Sequence, residues 1–219
     1  MKYLLPLITF YLLLAPGSLL AQTANYFGGS KEVNDSVKTL FEAMEEPTFA
    51  NRGNYFRTRQ EFGKDSEQAK KMLKQMVLDD SLNLEKVIAV HQKYGWPLES
   101  QIGVVAVGQA FLQIQHGNFE TQLKFLPVLK KAASRGEFTK SNLALIEDRV
   151  LTNKRKKQLY GTQYGVKLNK DGSKETLVWP IKSYPHVKKI NNRREKMGLE
   201  KLVFTKSAYN AQAKVKDFR

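Results

Sequence analysis

The sequence predicts a mainly α-helical single domain with a small β-hairpin near the C-terminal third. Three observations carry this. Apolar residues recur at helical spacing as far as Leu151, Gly and Pro stop signals punctuate them, and one Asp-Gly pair between β-type runs then breaks the pattern. A chain of 219 residues with 42% hydrophobic content can bury one core without covalent staples. It has no cysteine, which excludes disulfide frameworks, thiolate nucleophiles and cysteine zinc sites together.

Residues 1–21 read as a secretory signal peptide. Met1 and Lys2 give a positive start, an apolar run over 3–14 is broken only by Pro6 and Thr9, and cleavage falls between Ala21 and Gln22. The run is shorter than the ~20 apolar residues of a bilayer span. The expectation is a soluble exported protein, periplasmic or extracellular, with no transmembrane segment after signal removal. Residues 22–53 then hold a leader and a first helix. The helical domain occupies 54–204, its hairpin at about 159–179, and 205–219 read as a basic flexible tail.

Within that frame Val33, Val37, Leu40, Phe41 and Met44 predict a helix over 31–45, ended by Pro47. Gly53 separates it from a polar stretch in which Tyr55, Phe56, Phe62, Met72, Leu73 and Met76 supply contacts. Asp79, Asp80 and Ser81 offer an N-cap for a helix closed at Gly95 and Pro97. Ser100 caps a helix over 101–116, and Asn118 starts another that Pro127 should kink or break before Gly136. Thr139 or Ser141 caps a helix through Leu151. The runs 159–168 and 176–179 flank Asn169, Lys170, Asp171 and Gly172 as a hairpin, and a short helix over 186–197 ends at Gly198.

The net charge of +15 lies almost wholly after Val150. Lys154, Arg155, Lys156 and Lys157 form one basic cluster, and such a face can bind an anionic surface or polyanion by counterion release. Export and the absence of a helix-turn-helix, RNP or zinc-finger signature argue against nucleic acid.

The helix over 101–116 is apolar nearly all round, yet Gln109, Gln113 and His116 share one stripe. Buried polar groups need partners, so this stripe must face polar groups, water or a ligand. His116 is the best acid–base candidate among three histidines, too scattered for metal-ligand spacing; capping the helix C-terminus is the plainer role. On the next helix Glu147 falls inside the apolar arc, Asp148 at its edge and Arg149 outside, so an inward carboxylate calls for an Arg or His partner. No phosphate loop, GxSxG elbow or HExxH is present, and no cofactor or metal is implied.

An ordered set of motifs runs from Tyr94-Gly95-Trp96-Pro97 through Gln115-His116, Leu126-Pro127, Gly136-Glu137, Asp148-Arg149 and 158–163 to Trp179-Pro180-Ile181, Arg193-Arg194 and Met197-Gly198-Leu199. Over residues 79–202 this set resembles the bacterial domain-of-unknown-function family numbered 6624. The resemblance implies no established activity. It singles out Trp96, Gln115, His116, Asp148, Arg149, Gln158, Tyr160, Thr162 and Gln163 as motif positions. The chain departs from the family between Asn153 and Gln158, where a Gly and a Pro are common, and at Gly117, where Ala is usual.

Two readings follow. In one the chain is an exported binding module whose polar His/Asp/Gln cluster is Trp96, Gln113, Gln115, Arg149, Gln158, Tyr160, Thr162 and Gln163 beside His116 and Asp148. In the other it is a hydrolase-like enzyme with His116 as general acid or base and Asp148 orienting it or Arg149.

Overall fold

A computed structural model of the chain describes residues 28–168 and 174–203. They form α1 (Lys31–Glu42), α2 (Glu45–Phe62), α3 (Glu67–Tyr94), α4 (Glu99–Ile102), α5 (Val104–His116), α6 (Phe119–Ala133), α7 (Lys140–Asn153), β1 (Tyr164–Leu168), β2 (Lys174–Val178) and α8 (Val187–Lys196). The class is mainly α, as the apolar spacing predicts. The strands pair antiparallel from Tyr164–Val178 to Leu168–Lys174. The expected signal peptide, hairpin turn and C-terminal tail lie outside the described residues. No helix among those described is long and apolar enough to cross a membrane.

The core gathers around α5, whose Ala106, Val107, Ala110, Phe111 and Ile114 are buried against Val37 and Phe41 of α1, Val87 and Val90 of α3, Phe125 and Leu129 of α6, and Ile146 of α7. Each fully buried aliphatic or aromatic side chain contributes roughly 1.5–3 kcal/mol. Trp96 joins this core with ring contacts to Phe125 at 5.9 Å and Phe138 at 6.4 Å, both edge-on. The ring of this motif tryptophan is thus part of the packed core, while its buried Nε1–H has no hydrogen-bond partner among the described residues.

The N-terminal half departs from the sequence reading because long-range pairing overrides local signals. Pro47 does not end the first helix, which stops at Glu42; it sits in the first turn of α2, where a missing N–H costs nothing. Gly53 lies inside α2, and Asp79, Asp80 and Ser81 lie inside α3. Those carboxylates hold the helical hairpin together: Asn51 Nδ2 donates to Asp79 at 2.7 Å, and Arg52 Nη2 pairs with Asp80 at 2.8 Å. Phe56, Phe62, Met72 and Leu73, expected to supply contacts, are exposed.

Two further differences concern the central helices. The expected single helix over 101–116 is two, because Gly103 takes φ +86° between α4 and α5. Ser100 does not cap it through its own backbone turn; its N–H and hydroxyl donate to Glu137, while Thr139 donates to Glu99 across the same junction. Asn118 caps α6 as predicted, accepting from Thr121 N–H at 2.8 Å. The helix runs on through Pro127, held by the buried Phe125 and Leu129 on either side of it.

Candidate functional site

The site grows from α7. Asp148, fully buried at 0% exposure, points inward, whereas Glu147 lies at the arc's edge, the reverse of the order the helical wheel suggests. Among the described residues Asp148 makes no hydrogen bond to an Arg or His, although the charge of the buried Arg194 guanidinium reaches it. Its Oδ1 accepts from Leu159 N–H at 2.6 Å and Tyr160 N–H at 3.2 Å, and its Oδ2 accepts from Thr162 N–H at 3.1 Å and Thr162 Oγ1 at 3.0 Å. Burial raises the Asp148 pKa above the usual carboxylate value, and these donors pull it back. Both oxygens are committed to holding the 159–162 loop, which leaves none to orient His116.

The opposite side of the loop is held by cations. Arg193 Nε donates to the Leu159 carbonyl at 3.0 Å and Arg194 Nη1 to the Tyr160 carbonyl at 2.6 Å. A carboxylate thus takes the N–H groups of Leu159, Tyr160 and Thr162 while two guanidiniums take the C=O groups of Leu159 and Tyr160, so most of this irregular segment's backbone polar groups are paired. Gln158, wholly buried, closes the base: its Nε2 donates to the Gln163 and Trp179 carbonyls, and its Oε1 accepts from Gln163 N–H at 2.9 Å. Tyr160 Oη donates to Glu147 at 2.8 Å, and Glu147 pairs with Lys130 at 2.8 Å. Burial, then this bond to a carboxylate, pushes the Tyr160 pKa up.

Arg149 and His116 form the open edge. Arg149 Nη1 donates to the Gln115 carbonyl at 2.7 Å and its Nε to Gln163 Oε1 at 3.3 Å, fixing the guanidinium beside the C-terminus of α5. Gln122 from α6 completes that end, donating to the Gln115 and Gly117 carbonyls. Among the described residues no carboxylate forms an ion pair with Arg149. Half-buried, it has its pKa lowered by burial.

Partial burial, then the Arg52 charge, with Asp80 opposing and Arg149 adding to it, lower the His116 pKa from 6.5 to about 4. The residue is exposed overall, so solvent screens part of this penalty. The ring is neutral at pH 7. Its imidazole resonances should accordingly stay constant on NMR titration down to pH 5 and move only below it; movement centred near pH 6.5 would contradict the geometry. The unfolded chain takes up this proton at about 6.5 and the folded chain near 4. This group's contribution to stability is therefore fully present above pH 6.5 and is lost as pH falls towards 4, a slope that His116→Gln removes.

Of the other predicted residues, Gln113 is buried in the core beside Gln109, donating to its carbonyl at 3.5 Å, and both side-chain oxygens lack a hydrogen-bond partner. His116 stands apart from that stripe at the exposed end of α5. Lys154, Arg155, Lys156 and Lys157 are all exposed at the end of α7. Arg155 adopts φ +55° there, with its N–H on Thr152 and that of Lys156 on Leu151, the double bond pattern in which glycine is usual. Arg155→Gly should stabilise the chain by about 0.5–1 kcal/mol, read as a raised melting temperature.

Nothing in the sequence marks Arg52, Asp80, Gln122, Arg193 or Arg194 as members of this constellation. The Arg193-Arg194 pair is visible as a motif, but the loop carbonyls it meets lie 34 positions away along the chain.

Comparison with curated proteins and with solved structures returns no match. The model of a family of unknown function, DUF6624, matches residues 39–211, so the matched segment takes in α2 and α3 as well as the loop clamp. With most of its length covered, the chain belongs to this family of unknown function, DUF6624.

Proposed function

We propose that the chain is an exported binding module that recognises an anionic group at the Arg149–His116 edge. The observation that carries this is the half-buried Arg149 guanidinium, held by neutral acceptors and paired with no carboxylate among the described residues. Such a charge gains most from an anion brought to it, because guanidinium geometry matches carboxylate and phosphate oxygens. Neutral His116 beside it can donate a hydrogen bond to the same ligand, or take up a proton once the ligand's charge is present. Asp148, Gln158 and Thr162 act as architecture. The exposed Lys154 to Lys157 run speeds encounter with anionic partners, and the apolar N-terminal run supports export.

Calorimetric titration with inorganic phosphate and with acetate tests the reading. Arg149→Gln should weaken binding at least tenfold, and His116→Ala should weaken it with little change in melting temperature. Undiminished binding in both variants would refute the assignment. A hydrolytic reading has one observation in its favour, the exposed imidazole of His116, but a pKa lowered to about 4 makes it a weak general base at neutral pH. Its expected orienting carboxylate, Asp148, is engaged with the loop, and Asp80, whose charge reaches His116, is bonded to Arg52. Turnover of an ester or phosphoester that His116→Ala abolishes without loss of stability would establish it over the module.

A further inference from the structure

The two hydrogen-bonded pairs across α2 and α3 fix the sides of that hairpin: Asn51–Asp79 marks one and Arg52–Asp80 the other. At ~100° per residue, with α2 running out and α3 returning, Phe49 and Phe56 fall on the Arg52–Asp80 side together with Leu73 and Val77. All four are uncovered, by 56%, 56%, 39% and 53%. Phe56, Leu73 and Val77 make an apolar wall on that side of the helix pair, and Phe49 lies beyond the Arg52–Asp80 ion pair on the same side.

That wall begins at the candidate site. A methyl group placed on Gly117 would stand 3.2 Å from Leu84 Cδ2, so the end of α5 abuts α3 there. Leu84 lies one helical turn from Asp80 on the same face. His116, next to Gly117, and Arg149, bonded to the carbonyl of Gln115, therefore sit at the foot of the stripe. From Asp80 to Leu73 the wall extends about 10 Å at 1.5 Å per residue.

We infer that the ligand is an anionic amphiphile, its carboxylate or phosphate head at Arg149 and His116 and its alkyl chain along Phe56, Leu73 and Val77. This rests on the anion reading of the site. The size of the wall favours a chain over a second copy. Even with Phe49 included, these partly covered side chains expose on the order of 400 Å², whereas a stable dimer needs about 800 Å² from each partner. The unpaired guanidinium at its foot also asks for a negative group, which another copy of a chain with net charge +15 is poorly suited to bring.

The test is calorimetry on the purified protein with butanoate, hexanoate and octanoate, with octyl phosphate, and with octanol and inorganic phosphate as the tail and the head alone. Affinity should tighten about two- to fourfold per added CH₂, octanol should bind at least tenfold more weakly than octanoate, and octanoate against octyl phosphate tells which head is preferred. Phe56→Ser with Val77→Ser should flatten the chain-length dependence while phosphate binding stays. Equal affinity for all chain lengths in the wild type, with phosphate still bound, overturns the amphiphile and leaves the anion site standing. So does a wild-type dimer in sedimentation that the double variant converts to monomer, since a second copy then covers the wall. Failure of every anion to bind overturns the reading of the site itself. Both substituted side chains are exposed, and an unchanged melting curve verifies that the variant folds.

Discussion

Replacing Asp148 by Asn should lower the melting temperature by about 8–15 °C, the equivalent of about 3–5 kcal/mol at the usual sensitivity for a domain of this size. The carboxylate accepts from three backbone N–H groups and one hydroxyl, all of them donors. An asparagine amide offers one oxygen and turns an NH₂ towards the remaining N–H groups, so at least one buried donor loses its acceptor and another faces a donor. The loop it holds also carries the Tyr160 carbonyl to Arg194, so release on one side loosens the other. Circular dichroism melting checks this; a shift under 2 °C would show that the clamp contributes little.

Gly161→Ala should cost about 2–5 kcal/mol, through two separable causes. Gly161 holds φ +78°, where a side chain costs roughly 1–2 kcal/mol. A Cβ there would stand 2.7 Å from Ile181 Cδ1 and 2.7 Å from Leu202 Cδ1, an overlap that costs typically a further 1–3 kcal/mol. Gly136→Ala separates them, because Gly136 has φ +76° with no heavy atom within 4 Å of its Cβ position. Chemical denaturation of the two variants should place Gly161→Ala clearly below Gly136→Ala. Equal losses would mean that Ile181 and Leu202 move aside without penalty.

Much of the fold was legible in the sequence, and the illegible part has a physical reason. Helices α3, α6 and α8 end or begin where Gly95, Asn118 and Gly198 say they should, because caps are local chemistry. The α2–α3 hairpin was misread because Pro47, Gly53 and Asp79 carry local signals that the Asn51–Asp79 and Arg52–Asp80 pairs, 28 positions apart, override. At the site, the family motifs pointed to Asp148, Arg149 and 158–163 together, and the structure brings those residues into contact. What the sequence could not show was the chemistry of that contact. A helical wheel sees Glu147 and Asp148 as neighbours 100° apart; only the folded loop reveals that its N–H groups select the second as the buried acceptor. Nor could periodicity separate His116 from Gln109 and Gln113, since the stripe they share leaves the core at the last turn of α5.

The most direct test of an anion site at the Arg149–His116 edge is an NMR titration of His116 with and without saturating inorganic phosphate. Without phosphate the imidazole should titrate near pH 4, held down by burial and the Arg52 and Arg149 charges. With it, the bound anion favours the protonated ring, and the midpoint should rise by one pH unit or more in the wild type and remain unmoved in Arg149→Gln. A midpoint that phosphate leaves unchanged in the wild-type protein would contradict the account.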